Sequence, residues 1–122
     1  MRILPLAFLM AASAATADPA IIEAVKGTKS GDSWRFDVTL SHPDTGWDDY
    51  ADGWRVLDME GNVLGTRVLH HPHVNEQPFT RSLSGVEIPP NLGQVQIESK
   101  DSIGGWGGER VTLDLENPIY AR

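Results

Sequence analysis

The clearest pattern in the chain is a strict alternation of apolar and polar side chains between positions 34 and 40. The apolar positions are Trp34, Phe36, Val38 and Leu40, and the polar positions between them are Arg35, Asp37 and Thr39. Side chains of a β-strand point alternately to opposite faces, so this spacing predicts a strand with one face in a core and the other in water.

Shorter runs of similar character recur along the rest of the chain, separated by turns rich in glycine and proline. No apolar repeat with helical spacing persists for ten residues beyond the first seventeen, and the chain has 12 Gly and 8 Pro. The runs lie at 21–26, 34–40, 54–58, 63–69, 79–83, 94–99 and 111–115. Seven short strands in about a hundred residues predict an all-β fold, a single seven-stranded antiparallel β-sandwich of the immunoglobulin or fibronectin type III kind.

Two segments carry a resemblance to known proteins. Residues 42–48 (HPDTGWD) and 71–81 (HPHVNEQPFTR) resemble segments of small, uncharacterised exported proteobacterial proteins. Trp54, early in the third predicted strand, and a glycine-rich last hairpin are similar to features of fibronectin type III domains, although the paired cysteines of antibody domains are missing. The resemblance implies a sandwich that fills most of the chain, and it implies no activity.

The first seventeen residues have the order of a secretory signal peptide. Arg2 precedes a short apolar run, which gives way to small residues that end in Ala15-Thr16-Ala17. We therefore expect a signal peptide at 1–17, one sandwich domain at 18–122, and a periplasmic or secreted location. The run is shorter than the roughly 20 apolar residues that span a bilayer, and the chain has no cysteine to carry a lipid, so we expect no membrane anchor after cleavage.

The charge of the chain narrows the choice of partners. The whole sequence has a formal net charge of −7, and residues 18–122 have 9 basic against 17 acidic side chains, which gives −8. So acidic a surface repels phosphate backbones and anionic headgroups, which argues against nucleic acid as a partner. A protein partner or a small ligand remains compatible with it.

Three long connections are predicted to gather at one end of the sandwich. Consecutive strands of an antiparallel sandwich alternate in direction, so the loops after strands two, four and six emerge together. These loops are 42–53, 70–78 and 101–108, and together they hold all four histidines and two of the four tryptophans. Connections longer than the usual length of about 4–6 residues are usually functional or mobile.

The first functional hypothesis is a non-catalytic binding module that recognises a partner protein or small ligand through this end. The candidate contacts are Trp47, Asp48, Tyr50, His71, His73 and Trp106. Trp47 and Trp106 suit either a plug over the core or an exposed contact for sugar rings or a protein. The sequence has no nucleophile elbow, no zinc-protease motif, no P-loop and no cysteine nucleophile, so we expect no enzyme and assign no catalytic residues.

The alternative hypothesis is a periplasmic protein that binds a divalent metal, zinc or copper, through the loop histidines. His71 and His73 point to one side if their segment is extended, and His42, His70, Glu76 or an aspartate would complete a tetrahedron. The same spacing suits histidines that simply pack or cap backbone groups, which is the simpler interpretation. A blue-copper site needs a cysteine and is excluded. The acidic loop at 48–53 lacks the carboxylate that an EF-hand needs at its twelfth position.

Overall fold

The computed structural model describes residues 18–122, and the predicted signal peptide lies outside the described residues. Eight strands make up the fold, and the described residues contain no helix. In chain order they are β1 (Ile21–Ser30), β2 (Ser33–Ser41), β3 (Ala51–Leu57), β4 (Val63–Val68), β5 (Phe79–Glu87), β6 (Gln94–Asp101), β7 (Gly105–Asp114) and β8 (Ile119–Ala121). Accordingly, no described helix is long and apolar enough to cross a membrane.

The strands form two four-stranded sheets, with orders β5-β2-β1-β8 and β4-β3-β6-β7. Every pair of neighbouring strands is antiparallel. The prediction of an all-β antiparallel sandwich is therefore confirmed. In immunoglobulin constant domains the fourth strand joins the sheet of the first, second and fifth strands, whereas here β4 pairs with β3 in the other sheet.

The core lies between the two sheets and consists of the apolar side chains at the inward-facing positions of the strands. The four even positions of β2 are all buried, and Trp54 and Val56 of β3 are fully buried against them. The rings of Trp34 and Phe36 lie nearly parallel, with centroids 6.0 Å apart. Burying a large apolar side chain stabilises a fold by about 1.5–3 kcal/mol, so this packing holds the sandwich together in the absence of any disulfide.

The predicted strand count of seven is wrong because β8 was missed. This strand pairs only three residues with β1, from Ala24↔Ala121 to Lys26↔Ile119. Its side chains are exposed or half-buried, so its sequence shows no alternation between a buried and an exposed face. Its existence depends on a neighbouring edge that only the folded chain provides.

The third predicted loop, 101–108, is also wrong in its extent. Strand β7 begins at Gly105, and only 102–104 connect it to β6. Four glycines around Trp106 hide the strand because they provide no alternating side chains. Gly105 and Gly107 have φ angles of +74° and +97°, and a Cβ on Gly108 would lie 2.9 Å from Ser99 Oγ, so glycine is required there by conformation and by close approach.

The three connections nevertheless meet at one end of the sandwich. The end of β2 pairs with the start of β5 through Leu40↔Phe79, and the start of β3 pairs with the end of β6 through Ala51↔Asp101. The first predicted loop, 42–53, is too long because β3 already begins at Ala51, and the start of that strand has no large apolar side chain to reveal it. We call this end the loop pole; it consists of residues 42–50, 69–78 and 102–104.

Candidate functional site at the loop pole

A buried histidine lies at the centre of the loop pole. His42 follows directly after β2, and its side chain has no exposed surface. Its Nδ1 lies 2.6 Å from Oδ1 of Asp44, which is equally buried. The Asp44 carboxylate also accepts hydrogen bonds from the backbone N–H of Ala51 at 3.0 Å and of His73 at 2.8 Å. Asp44 therefore ties together the two long connections of the pole.

The other ring nitrogen of His42 faces two further carboxylates. Its Nε2 lies 3.6 Å from Asp49 Oδ1 and 3.9 Å from Asp101 Oδ2. All three atoms lie within 4.8 Å of one another. Each of them is buried, and none has a hydrogen-bond partner among the described residues. We call His42, Asp44, Asp49 and Asp101 the acid–histidine cluster.

Local backbone structure holds each carboxylate of the cluster in place. Asp49 closes a tight turn, in which its N–H donates to Gly46 O at 3.2 Å and its carbonyl accepts from Thr45 N at 3.0 Å. Asp101 ends β6, and its second oxygen, Oδ1, accepts from Gly104 N at 3.0 Å. Ser102 joins the two segments, because its backbone N–H donates to Tyr50 O and its hydroxyl accepts from Tyr50 N.

The histidines after β4 are arranged differently. The His73 ring is buried and lies flat on Phe79, with centroids 4.1 Å apart, and its Nε2 lies 2.9 Å from an Arg81 nitrogen. Burial lowers the pKa of His73, and the Arg81 guanidinium lowers it further. The His71 ring contacts His73 at 4.9 Å between centroids. His70 and His71 are exposed.

The structure does not bring the four histidines that were predicted as one set of metal ligands into a single group of converging ligand atoms. Within the part of the chain that the structure describes, only His42 belongs to a group of converging ligand atoms, and its neighbours are aspartates rather than His70, His71 or His73. Asp44, Asp49 and Asp101 were not predicted by name. The pattern His-x-Asp directly after a strand was the available signal for Asp44, whereas Asp101 is 59 positions from His42 in the sequence.

The predicted aromatic contacts occupy two different places. Trp47 stands at the tip of the turn with 68% of its surface exposed, and its ring meets Tyr50 edge-on at 5.8 Å. Asp48, beside it, is exposed as well. Trp106 is half-buried and lies within β7 rather than in a loop. The guanidinium of Arg55 covers its ring at 4.0 Å.

A cavity of about 370 Å³ opens beside Trp106 at the edge of the loop pole. Its lining residues are Tyr50, Asp52, Gly53, Thr66, Arg67, Val68, Leu69, His70, Lys100 and Trp106. Lys100 Nζ bonds Asp52 Oδ2 at 2.6 Å. A Cβ on Gly53 would lie 3.6 Å from the Trp106 ring and 3.3 Å from Arg67 O, so the glycine keeps the floor beside the indole open.

A buried carboxylate, Glu98, is linked to Trp106 through Arg55. Glu98 is 1% exposed on β6 and forms ion pairs with Arg55 of β3 and Arg110 of β7. Arg55 bonds Glu98 at 2.7 Å while it stacks on the indole. Arg55 therefore connects the buried Glu98 carboxylate to the indole that lines the cavity.

Comparison with known proteins finds similarity to a curated protein, whereas no family model and no solved structure matches. The relative is a protein of the archaeon Halomicrobium mukohataei named "Putative lipoprotein", which is 36% identical over 97 residues. The match covers 80% of this chain and 47% of the relative, so the chain spans about half the length of the protein it matches. Because that relative is archaeal, the resemblance to proteobacterial proteins remains a prediction.

Proposed function

We propose that this protein is an exported, non-catalytic binding module that holds a saccharide ring in the cavity beside Trp106. Export is supported by the signal-like first seventeen residues and by a relative named as a lipoprotein. This chain has no cysteine for lipid attachment. We therefore infer export from the name of the relative, but not a lipid anchor.

The observation that carries the proposal is the combination of an indole wall with polar groups in one cavity. Ligand pockets have volumes of about 300–1,000 Å³ and combine apolar or aromatic walls with a few placed polar groups. The cavity volume of about 370 Å³ lies in this range, and Trp106 supplies the wall. Asp52, Thr66 and Lys100 supply acceptors and donors within the same lining.

A saccharide matches this combination better than a purely apolar or a multiply charged ligand. A sugar ring has a C–H face that packs on an aromatic surface and hydroxyl groups at its edge that both donate and accept hydrogen bonds. The bonded Lys100 and Asp52 provide both kinds of group side by side and carry no net charge as a pair. A ligand with several negative charges would be opposed by the overall acidity of the protein.

The carboxylates of the cavity favour binding over hydrolysis. Glycoside hydrolysis generally uses two carboxylates on opposite sides of the scissile bond. Asp52 is the single carboxylate in the lining, and Lys100 already bonds it at 2.6 Å. We therefore expect capture of the sugar without turnover.

A glycan array that includes neutral and uronic-acid-containing oligosaccharides tests this proposal, and calorimetry with the strongest hit measures its affinity. We expect Trp106→Ala to abolish binding, and Trp106→Phe to retain part of it because an aromatic wall remains. The comparison variant is Trp47→Ala, which removes an indole that lies outside the cavity lining and contacts it through Tyr50. We expect it to lower affinity far less than Trp106→Ala does. An array with no retained glycan, or equal binding by Trp106→Ala, contradicts the proposal.

A partner protein is the second candidate, and the exposed turn tip favours it. Trp47 has 68% of its surface exposed and is supported edge-on by Tyr50, and tryptophan is enriched among residues that dominate the energy of interfaces. In this case Trp47→Ala abolishes capture of a protein partner in a pull-down from the native envelope, whereas Trp106→Ala does not. The same two variants thus separate the two candidates.

A further inference from the structure

Three buried acceptor atoms converge in the acid–histidine cluster, and no donor from residues 18–122 lies between them. They are His42 Nε2, Asp49 Oδ1 and Asp101 Oδ2. The His42 side chain has no exposed surface and that of Asp101 is 3% exposed. Buried polar atoms without partners are rare in folded proteins, and each indicates an absent water, ion or special role. We propose that this cluster binds one divalent transition-metal ion of the zinc class through these three atoms.

The hydrogen bonds of Asp44 prepare His42 for metal binding. Asp44 Oδ1 accepts the backbone N–H of Ala51 and lies 2.6 Å from His42 Nδ1, so the hydrogen of the ring belongs on Nδ1. The lone pair then lies on Nε2, the atom that faces Asp49 and Asp101. Metal-bound histidines almost always donate their other ring N–H to a carboxylate or carbonyl, which orients the ring and strengthens it as a ligand.

The separations of the three atoms suit a small ion. A tetrahedral zinc ion with bonds of about 2.0–2.2 Å holds its ligand atoms roughly 3.4 Å apart. The distances from Nε2 to the two carboxylate oxygens are 3.6 and 3.9 Å. The two carboxylate oxygens lie within 4.8 Å of each other. Side-chain shifts of up to about an ångström would therefore close the site around the ion. Three protein ligands leave the fourth position for water, as in zinc sites that are open to exchange.

The types of ligand narrow the choice of metal. One imidazole nitrogen and two carboxylate oxygens suit zinc and neighbouring divalent ions, whereas calcium takes six to eight oxygen ligands. Soft Cu(I) sites rely on thiolate or thioether ligands, and the three converging groups contain no sulfur. Zinc is therefore the probe of choice.

The ion would also connect the two sheets. His42 follows β2 of one sheet, and Asp101 ends β6 of the other. Asp49 fixes the turn that carries Trp47 at its tip. In a cysteine-free domain of this size, a metal at this point supplies the kind of cross-link that disulfides provide in other small exported domains. The proposal does not depend on the saccharide site, which uses other side chains.

The test is zinc titration of the chelator-treated full-length mature protein by calorimetry, together with elemental analysis of protein as purified. We expect one zinc per chain. Asp49→Asn and Asp101→Asn each remove a ligand charge while they keep the side-chain shape, and we expect each to weaken zinc binding by at least about 100-fold. Glu76→Gln is the matched control, because its carboxylate lies 4.0 Å from His73 Nε2 and outside the cluster.

Thermal melts and X-ray absorption keep the proposal testable if a variant fails to fold. Zinc at a hundred times its Kd should raise the Tm of the unaltered protein by about 10 °C or more. The absorption spectrum should show one imidazole in an oxygen-rich shell. Absence of zinc binding at 100 µM, full binding by both Asn variants, or a shell with two or more imidazoles would each overturn the assignment.

Discussion

Two histidine-containing regions of the loop pole look alike in sequence and differ in chemistry. His42 and His73 are both buried, and both contact Asp44. His42 contacts it through its ring, and His73 through its backbone N–H. The Nε2 of His42 faces two carboxylate oxygens. The Nε2 of His73 faces the Arg81 guanidinium at 2.9 Å, and its ring lies against Phe79.

The difference indicates that the neighbour of each ring nitrogen, rather than the spacing of histidines, decides which ring is suited to bind a metal ion. A cation close to His73 repels a metal ion and occupies the lone pair that would bind it. Carboxylates close to His42 would attract a metal ion, and in the proposed site they complete its ligand shell. The pair His71 and His73, which has the more suggestive sequence spacing, therefore has the less suitable environment.

The largest difference between the two histidine regions should appear when His42 and His71 are each replaced by alanine. His42→Ala deletes a buried side chain and leaves Asp44 without one of its donors, so we expect a loss of about 2–4 kcal/mol in the free energy of unfolding. We also expect zinc affinity to fall by more than about 100-fold, since the loss of an outer partner alone costs roughly 10–100-fold. His71→Ala should change neither quantity by much. Denaturant melts and calorimetry of both variants decide the matter, and equal effects would erase the distinction.

A change in the outer shell should have the next largest effect. Asp44→Asn keeps the shape but replaces one oxygen by an N–H₂ group, which faces either the His73 N–H or the donors at Oδ1. We expect zinc affinity to drop by about 10–100-fold with the three metal ligands intact. Calorimetry at a temperature at which the variant is fully folded measures the drop. Unchanged affinity would mean that Asp44 serves only to join the loops.

The third prediction concerns Asp101→Asn, whose effect on stability should have opposite signs in the metal-free and the zinc-bound protein. Asp101→Asn places an N–H donor among converging acceptors, so in chelator we expect the variant to be about 1 kcal/mol more stable than the parent. With zinc present, the order should reverse because only the parent gains stability from the ion. Paired thermal melts test this crossing. A variant that is less stable under both conditions would indicate an ordinary structural role for Asp101.

The smallest expected effect is the contribution of His73 to the pH dependence of stability. Burial keeps the pKa of folded His73 below its unfolded value of about 6.5, so the unfolded chain binds more protons and stability falls as pH decreases through that value. His73→Phe keeps a ring against Phe79 and removes the titration. Its Tm should therefore decline less than that of the parent between about pH 7.5 and 5.5. Parallel slopes for the two proteins would place the pH dependence elsewhere.

Strand positions in the interior of the sheets were predictable because burial leaves a two-residue period in the sequence. Trp34 to Leu40 is the clearest case, and the predicted run lies within β2. The two-residue period is missing where burial does not alternate. Examples are β8, whose side chains are exposed or half-buried, and the glycine-rich start of β7. The site was predictable only in part, since the loop pole follows from strand direction and its chemistry does not.

The sequence by itself determined an acidic, cysteine-free β-sandwich with its long connections at one end. It could do so because apolar and polar side chains alternate within each strand and consecutive strands alternate in direction, and both properties repeat along the chain. Tertiary structure alone decided which polar groups share a buried space. Asp49 and Asp101 meet His42 because strands from different sheets end at the same level. Such proximity depends on register and packing across the two layers, and these quantities leave no periodic trace in the order of residues.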